Sequence, residues 1–166
     1  MVASASAASL DRGDIPAILV GIVLVNVVGA APALLAGPNS PWFQRLESPA
    51  LYPPGWVFGV VWTALFTLLG IALALVWLAD TDRRDVRIAL ALFALQMVFN
   101  VAWTPAFFAL ENLLLGLAVI VALWPLVLAT IVAFDRVDRR AAALLVPYLL
   151  WVTFAAVLNY QFWAVN

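Results

Sequence analysis

The chain contains no cysteine, no histidine and no lysine, and each absence closes off a class of chemistry. Without cysteine there is no disulfide and no thiolate nucleophile. Without histidine the usual side-chain base and the commonest metal ligand are missing too, so no metal site is expected. Charge is also scarce. Eight arginines against nine acidic residues leave a formal net charge of −1. Five stretches, near residues 15–35, 56–78, 88–110, 113–134 and 141–163, carry no Asp, Glu, Lys or Arg at all. Coupled transporters usually keep ionisable groups at membrane depth and often show paired repeats. This chain has neither, which argues against an ion-driven pump, and nucleic acid is not among the expected partners.

What remains is overwhelmingly apolar: 67% hydrophobic residues, 10% charged and a mean hydropathy of +1.10. Each charge-free stretch has about the 20 residues that a ~30 Å hydrocarbon layer demands of a helix. Backbone polar groups have no water to bond in lipid, and segments this long are not barrel strands, so the expected fold is an all-α integral membrane protein, a five-transmembrane-helix bundle. Short connections make residues 12–166 one domain, with residues 1–11 expected to form a disordered tail. The first stretch is too long for a signal-peptide core, and its small residues precede the apolar run instead of following it, so it reads as a retained helix.

Arginine placement predicts an orientation. Arg12, Arg83, Arg84, Arg87, Arg136, Arg139 and Arg140 fall on one side of the five segments and only Arg45 on the other. This bias puts the N-terminus in the cytoplasm and the C-terminus outside. The 36–54 connection is then an outer loop, stiffened by Pro38, Pro41, Pro49, Pro53 and Pro54 and carrying Trp42, Phe43, Leu46 and Tyr52. A loop of that composition serves either as an interfacial anchor or as a lid.

Eight tryptophans are present. Trp56, Trp77 and Trp163 sit at segment ends, where an indole keeps its ring buried and its N–H wet. Trp124, followed by Pro125, reads as facing lipid or a kink. Three others lie deep. At 1.5 Å per residue, Trp62 is about 9 Å below Trp56, Trp103 about 10 Å below Leu110 and Trp151 about 18 Å below Trp163. Helical spacing adds Phe66 to the Trp62 face, Phe99 and Asn100 to that of Trp103, and Tyr148, Ala155, Leu158 and Asn159 to that of Trp151. Any one of these residues is explained by helix packing, and the amides by interhelical hydrogen bonds. Their coincidence at similar depth points to a shared cavity, with Ala155 leaving room beside Trp151.

The run Pro53-Pro54-Gly55-Trp56-Val57-Phe58-Gly59-Val60-Val61-Trp62-Thr63, with Phe66 and Gly70, resembles the signature of the translocator protein / tryptophan-rich sensory protein (TspO/MBR) family. Asn100-Val101-Ala102-Trp103 with Pro105, Phe107 and Phe108 is similar to its third-helix motif, and Pro147-Tyr148-Leu149-Leu150-Trp151 through Tyr160 to its fifth. The resemblance implies a five-helix bundle, usually a homodimer, whose pocket beneath the first loop binds porphyrins such as protoporphyrin IX, and in some members sterols and synthetic ligands. It further implies light-dependent porphyrin degradation in some bacterial members, the two tryptophans tied to it falling on Trp62 and Trp151. Trp42, Phe43 and Arg45 would contribute from the loop, Arg45 as the one outer cation able to meet a propionate. Two features depart from the family. Leu51 or Tyr52 stands where the family has a tryptophan before Pro-Pro, and no basic residue follows Tyr160, so a sterol role is unsupported.

No cofactor is required on this reading, and the porphyrin is ligand or substrate. With Met97 the only internal methionine and off the Trp103 face, conventional axial ligation of haem iron is disfavoured, so a metal-free tetrapyrrole is the better match. Facilitated passage of another hydrophobic molecule, or a sensory role in which ligand occupancy controls a partner protein, are the alternatives. Self-association is expected through small-residue pairs: Gly70 with Ala74, Ala102 with Ala106, or Ala118 with Ala122.

Overall fold

The computed structural model describes residues 11–34 and 36–166. The expected tail therefore lies, except for Asp11, outside the described residues. Five helices run through the chain: α1 Ile15–Ala30, α2 Gly55–Trp77, α3 Arg84–Thr104, α4 Leu113–Asp135 and α5 Arg139–Val165. All five are long and apolar enough to cross a membrane once α1 and α3 are taken with the turns that extend them, and the chain is an all-α, multi-pass integral membrane protein. α1 lies along α2, α4 packs along both α3 and α5, and α2 also meets α5.

Boundaries depart from the sequence reading where charge and proline intervene. α3 and α5 begin at Arg84 and Arg139, four and two residues ahead of the charge-free stretches. Charged side chains are tolerated in a first turn that protrudes from the hydrocarbon, and Asp138 caps α5 by accepting from the Arg140 N–H at 2.8 Å. At the other end of α1, the chain tightens into a 3₁₀ turn over Ala31–Leu34, where Pro32 lacks the N–H that would continue the α ladder. α3 instead widens into a π turn, Pro105–Ala109, with Leu110 N–H bonded to Pro105 O at 2.9 Å. Pro105 cannot donate, so the register slips by one residue.

Two glycines set the α1–α2 distance. A Cβ on Gly70 would stand 2.5 Å from Ile22 Cα, and one on Gly21 would collide with the Gly70 carbonyl oxygen. Helix backbones approach this closely only through such residues. Gly70 and Ala74 are thus covered by α1 within the chain, which removes that pair from the self-association candidates. Asn26 adds a polar tie, its Nδ2 donating to Ile22 O at 3.0 Å and to Thr67 Oγ1 at 3.3 Å. Below, toward the arginine-bearing loops, the core is dense. Leu69, Val76, Val86, Val127, Phe134 and Leu145 are fully buried, and Phe93 stacks on Phe134 at 5.8 Å.

Trp56, Trp77 and Trp163 are exposed at helix ends, as belt residues are. Trp124 has a partner that its position in sequence does not reveal: its indole N–H donates to Thr153 Oγ1 at 2.9 Å, tying α4 to α5.

Candidate functional site

Between the upper halves of the helices, roofed by residues 36–54, lies a cavity of about 380 Å³, within the range of small-molecule sites. Trp62 from α2 and Trp151 from α5 meet on its wall, ring centroids 6.5 Å apart and planes at 88°. Trp103 from α3 also lines it, stacked on Phe107 at 5.0 Å. The three deep indoles converge as the depth arithmetic implied, and Phe43, Phe66, Asn100, Ala155, Leu158 and Asn159 share the lining.

Four residues of the expected set stand elsewhere. Tyr148 is fully buried behind Trp62, 6.3 Å from its ring. Its hydroxyl accepts from Asn100 Nδ2 at 2.8 Å and donates to Gln96 Oε1 at 3.0 Å. Phe99 packs into the helical core. Trp42 lies on the far side of the roof, against Phe107 at 5.9 Å, and borders a separate groove with Glu111 and Trp163. Arg45 is exposed and outside the lining. Helical spacing places a residue on a face but does not say which layer of that face is open, and Tyr148 is the layer beneath.

Other lining residues lay within reach of the same rule. Phe58 is one turn above Trp62 and Phe162 one turn above Leu158, and both line the cavity. Tyr52 and Phe108 add further rings, with Phe43 5.1 Å from Phe108 and 5.4 Å from Phe162. The contribution of α1 carries no aromatic signal. Asn26, Gly29 and Ala30 form that wall, and a Cβ on Gly29 would strike the Phe66 ring.

The polar groups divide into those in use and those left over. Trp103 Nε1–H donates to Asn159 Oδ1 at 3.0 Å, and Asn159 Nδ2 donates to Leu113 O at 2.9 Å. That amide joins α3, α4 and α5, and Trp103 offers a ligand only its face. Trp151 Nε1 is buried and has no hydrogen-bond partner, a cost of about 1–3 kcal/mol unless an acceptor arrives. Among the described residues no charged side chain lines the cavity and Tyr52 is the one titratable group that does; burial pushes that phenol above its ordinary range. Met97 is buried in the core, away from the lining, and no group of three or more His, Cys, Asp or Glu that could hold a metal exists among the described residues.

The comparisons with known proteins agree with this architecture. The TspO/MBR family model matches residues 21–164. The tryptophan-rich protein TspO of Chlorobaculum tepidum is 39% identical over 150 residues, covering 90% of this chain and 94% of that protein. Protein CrtK of Rhodobacter capsulatus is 39% identical over 125 residues, 75% of this chain and 78% of its own. The human translocator protein is 36% identical over 127 residues, 75% of each chain. With the matched region opening inside α1, closing at the end of α5 and containing every indole of the cavity, the chain belongs to the TspO/MBR family.

Proposed function

We propose that the cavity binds a metal-free tetrapyrrole of the protoporphyrin IX type and holds it against Trp62 and Trp151. The observation that carries this reading is the perpendicular pair of indoles, ring centroids 6.5 Å apart, on the wall of a cavity with no charged side chain among its described lining residues. A flat conjugated ring gains apolar burial and offset stacking from such walls. Carboxylates on its rim have no cation in the lining and would remain at the loop end. The wall offers no imidazole or thiolate for a bound metal.

Light supplies the chemistry on this reading. The excited macrocycle takes an electron from an adjacent indole, and molecular oxygen is the terminal oxidant. Trp62 and Trp151 are the electron donors, which makes the protein a slow photo-enzyme as well as a binder. In the membrane the arginine-rich end faces the cytoplasm, and a fusion reporter that placed Asn166 there would overturn this orientation. A homodimer forms through faces that α1 leaves free, such as Ala118–Ala122 of α4, and cross-linking in native membranes that gave only monomer would exclude it.

The test is titration with protoporphyrin IX, read by quenching of tryptophan fluorescence, followed by illumination with and without oxygen. Trp62→Phe and Trp151→Phe keep most of the apolar contact, so affinity should weaken by only about 0.5–1.5 kcal/mol. Phenylalanine is much harder to oxidise, so light-dependent porphyrin loss should fall steeply. Equal bleaching in wild type and both variants would leave a binding protein without photochemistry, and no quenching at all would remove the tetrapyrrole.

A further inference from the structure

The roof over the cavity is held in two different ways. Its apolar grip is redundant: Phe43 touches Phe107, Phe108 and Phe162, and Tyr52 touches Phe58 and Phe162. Its polar grip is a single residue. Asn166 Oδ1 accepts from the Glu47 N–H at 2.8 Å, and Asn166 Nδ2 donates to Glu47 O at 3.1 Å and to Phe162 O at 3.0 Å. Among the described residues these are the only hydrogen bonds joining the 36–54 segment to α3, α4 or α5. One primary amide thus engages both backbone groups of one loop residue, as a neighbouring strand would, and braces itself on the carbonyl of a residue that lines the cavity.

We infer that Asn166 is a positioning residue, a latch that sets how often the roof opens and hence how fast ligand enters and leaves the cavity. The inference rests on the cavity being a ligand site. Glu47 and Asn166 are both exposed, so water competes for the paired atoms and the latch breaks far more easily than the buried ties at Tyr148 and Asn159. The rings beneath then have only dispersion and apolar burial to hold them, which are non-directional and allow the loop to slide or lift. The amide is needed on both sides. A carboxylate in its place would still accept from the Glu47 N–H but would set a negative oxygen against the Glu47 carbonyl. Glu47 itself and Glu111, which borders the same groove as Asn166, would add to that repulsion.

The chain has no lysine and only one arginine in the loop, Arg45, so tryptic cleavage after Arg45 in the full-length protein reports opening without any ligand. Asn166→Ala and Asn166→Asp should each accelerate that cleavage about tenfold, the equivalent of one or two exposed amide hydrogen bonds. Dissociation of protoporphyrin IX, followed by recovery of tryptophan fluorescence, should quicken by a similar factor with the melting temperature unchanged. Because the chain has no native cysteine, a Glu47→Cys/Asn166→Cys pair can be closed by a thiol cross-linker. Closure should slow both processes, and the uncross-linked pair should behave like Asn166→Ala. Unchanged cleavage at Arg45 in both single variants overturns the latch. Faster cleavage with unchanged porphyrin dissociation overturns its role in exchange. If protoporphyrin IX does not bind at all, the tetrapyrrole reading fails while the cleavage result still decides whether Asn166 holds the roof.

Discussion

Toward the arginine-bearing end, α1 and α2 lie backbone against backbone at Gly21 and Gly70, and the helices around them bury Leu69, Val76 and Phe134 completely. Toward the loop end glycine plays two parts: a Cβ on Gly29 would strike the Phe66 ring, whereas one on Gly59 would meet nothing within 4 Å, and both residues line the cavity. Gly70 thus permits backbone contact below, while Gly59 leaves open space above. The polar groups divide in the same way. Ion pairs such as Arg140–Asp138, 2.8 Å apart, lie at the arginine end, whereas the hollow half has no charge on its wall and depends on amides and indole N–H groups. A bundle in lipid gains little from burying apolar surface, since the tails are as apolar as leucine. It can therefore keep a void at one end if packing at the other and a few hydrogen bonds hold the helices in register.

The largest effect should come from reversing the glycines. Gly70→Leu would push a side chain into the α1 backbone, where nothing flexible can give way, and should cost at least the upper end of the ~1–3 kcal/mol typical of overpacking. It should be visible as a sharp fall in melting temperature in detergent. Gly59→Leu should leave melting nearly unchanged and weaken porphyrin binding by filling the void. Equal thermal losses in the two variants would erase the distinction between a solid and a hollow half.

Next in size is Asn159→Ala, which orphans the Trp103 N–H and removes the tie to the Leu113 carbonyl. The expected cost is about 1–3 kcal/mol, in the half that has the least packing to spare. A melting temperature equal to wild type would mean that the hollow half does not rely on this amide.

The smallest effect is at the charged end. Asp138→Ala removes the α5 cap and should cost about 1 kcal/mol at neutral pH. The Arg140 guanidinium holds the Asp138 carboxyl below its usual range. Its contribution is therefore present above the ordinary carboxylate pKa and is lost as pH falls through the lowered one, and the gap between wild type and variant should close in acid. The loop end should respond in the opposite way. Tyr52 is raised by burial, so its contribution persists below the ordinary tyrosine pKa and is lost only as pH rises through the higher value. Ligand affinity should accordingly be flat between about pH 6 and 9 apart from titration of the ligand itself. A protein-side step within that window would mean that a group outside the lining controls the site.

Composition and the spacing of charge-free runs were enough to reach five helices, because lipid leaves the backbone no alternative that satisfies its own hydrogen bonds. Depth along each helix was equally legible: rise per residue is constant, so Trp62, Trp103 and Trp151 could be set at related heights before any contact was known. What only the tertiary structure decided is which of the groups at one height is exposed to a ligand. Tyr148 and Phe99 share faces with Trp151 and Trp103 yet lie off the cavity, while Gly29 and Phe58 line it. The use of each polar group was also hidden, since an amide on a helix face has the same sequence signature whether it bonds a carbonyl on another helix, as Asn159 does, or latches a loop, as Asn166 does. Periodicity is a property of one helix and follows from its own geometry. Cavities, latches and free donors are properties of several helices at once, set by crossing angles and by where small side chains let backbones meet.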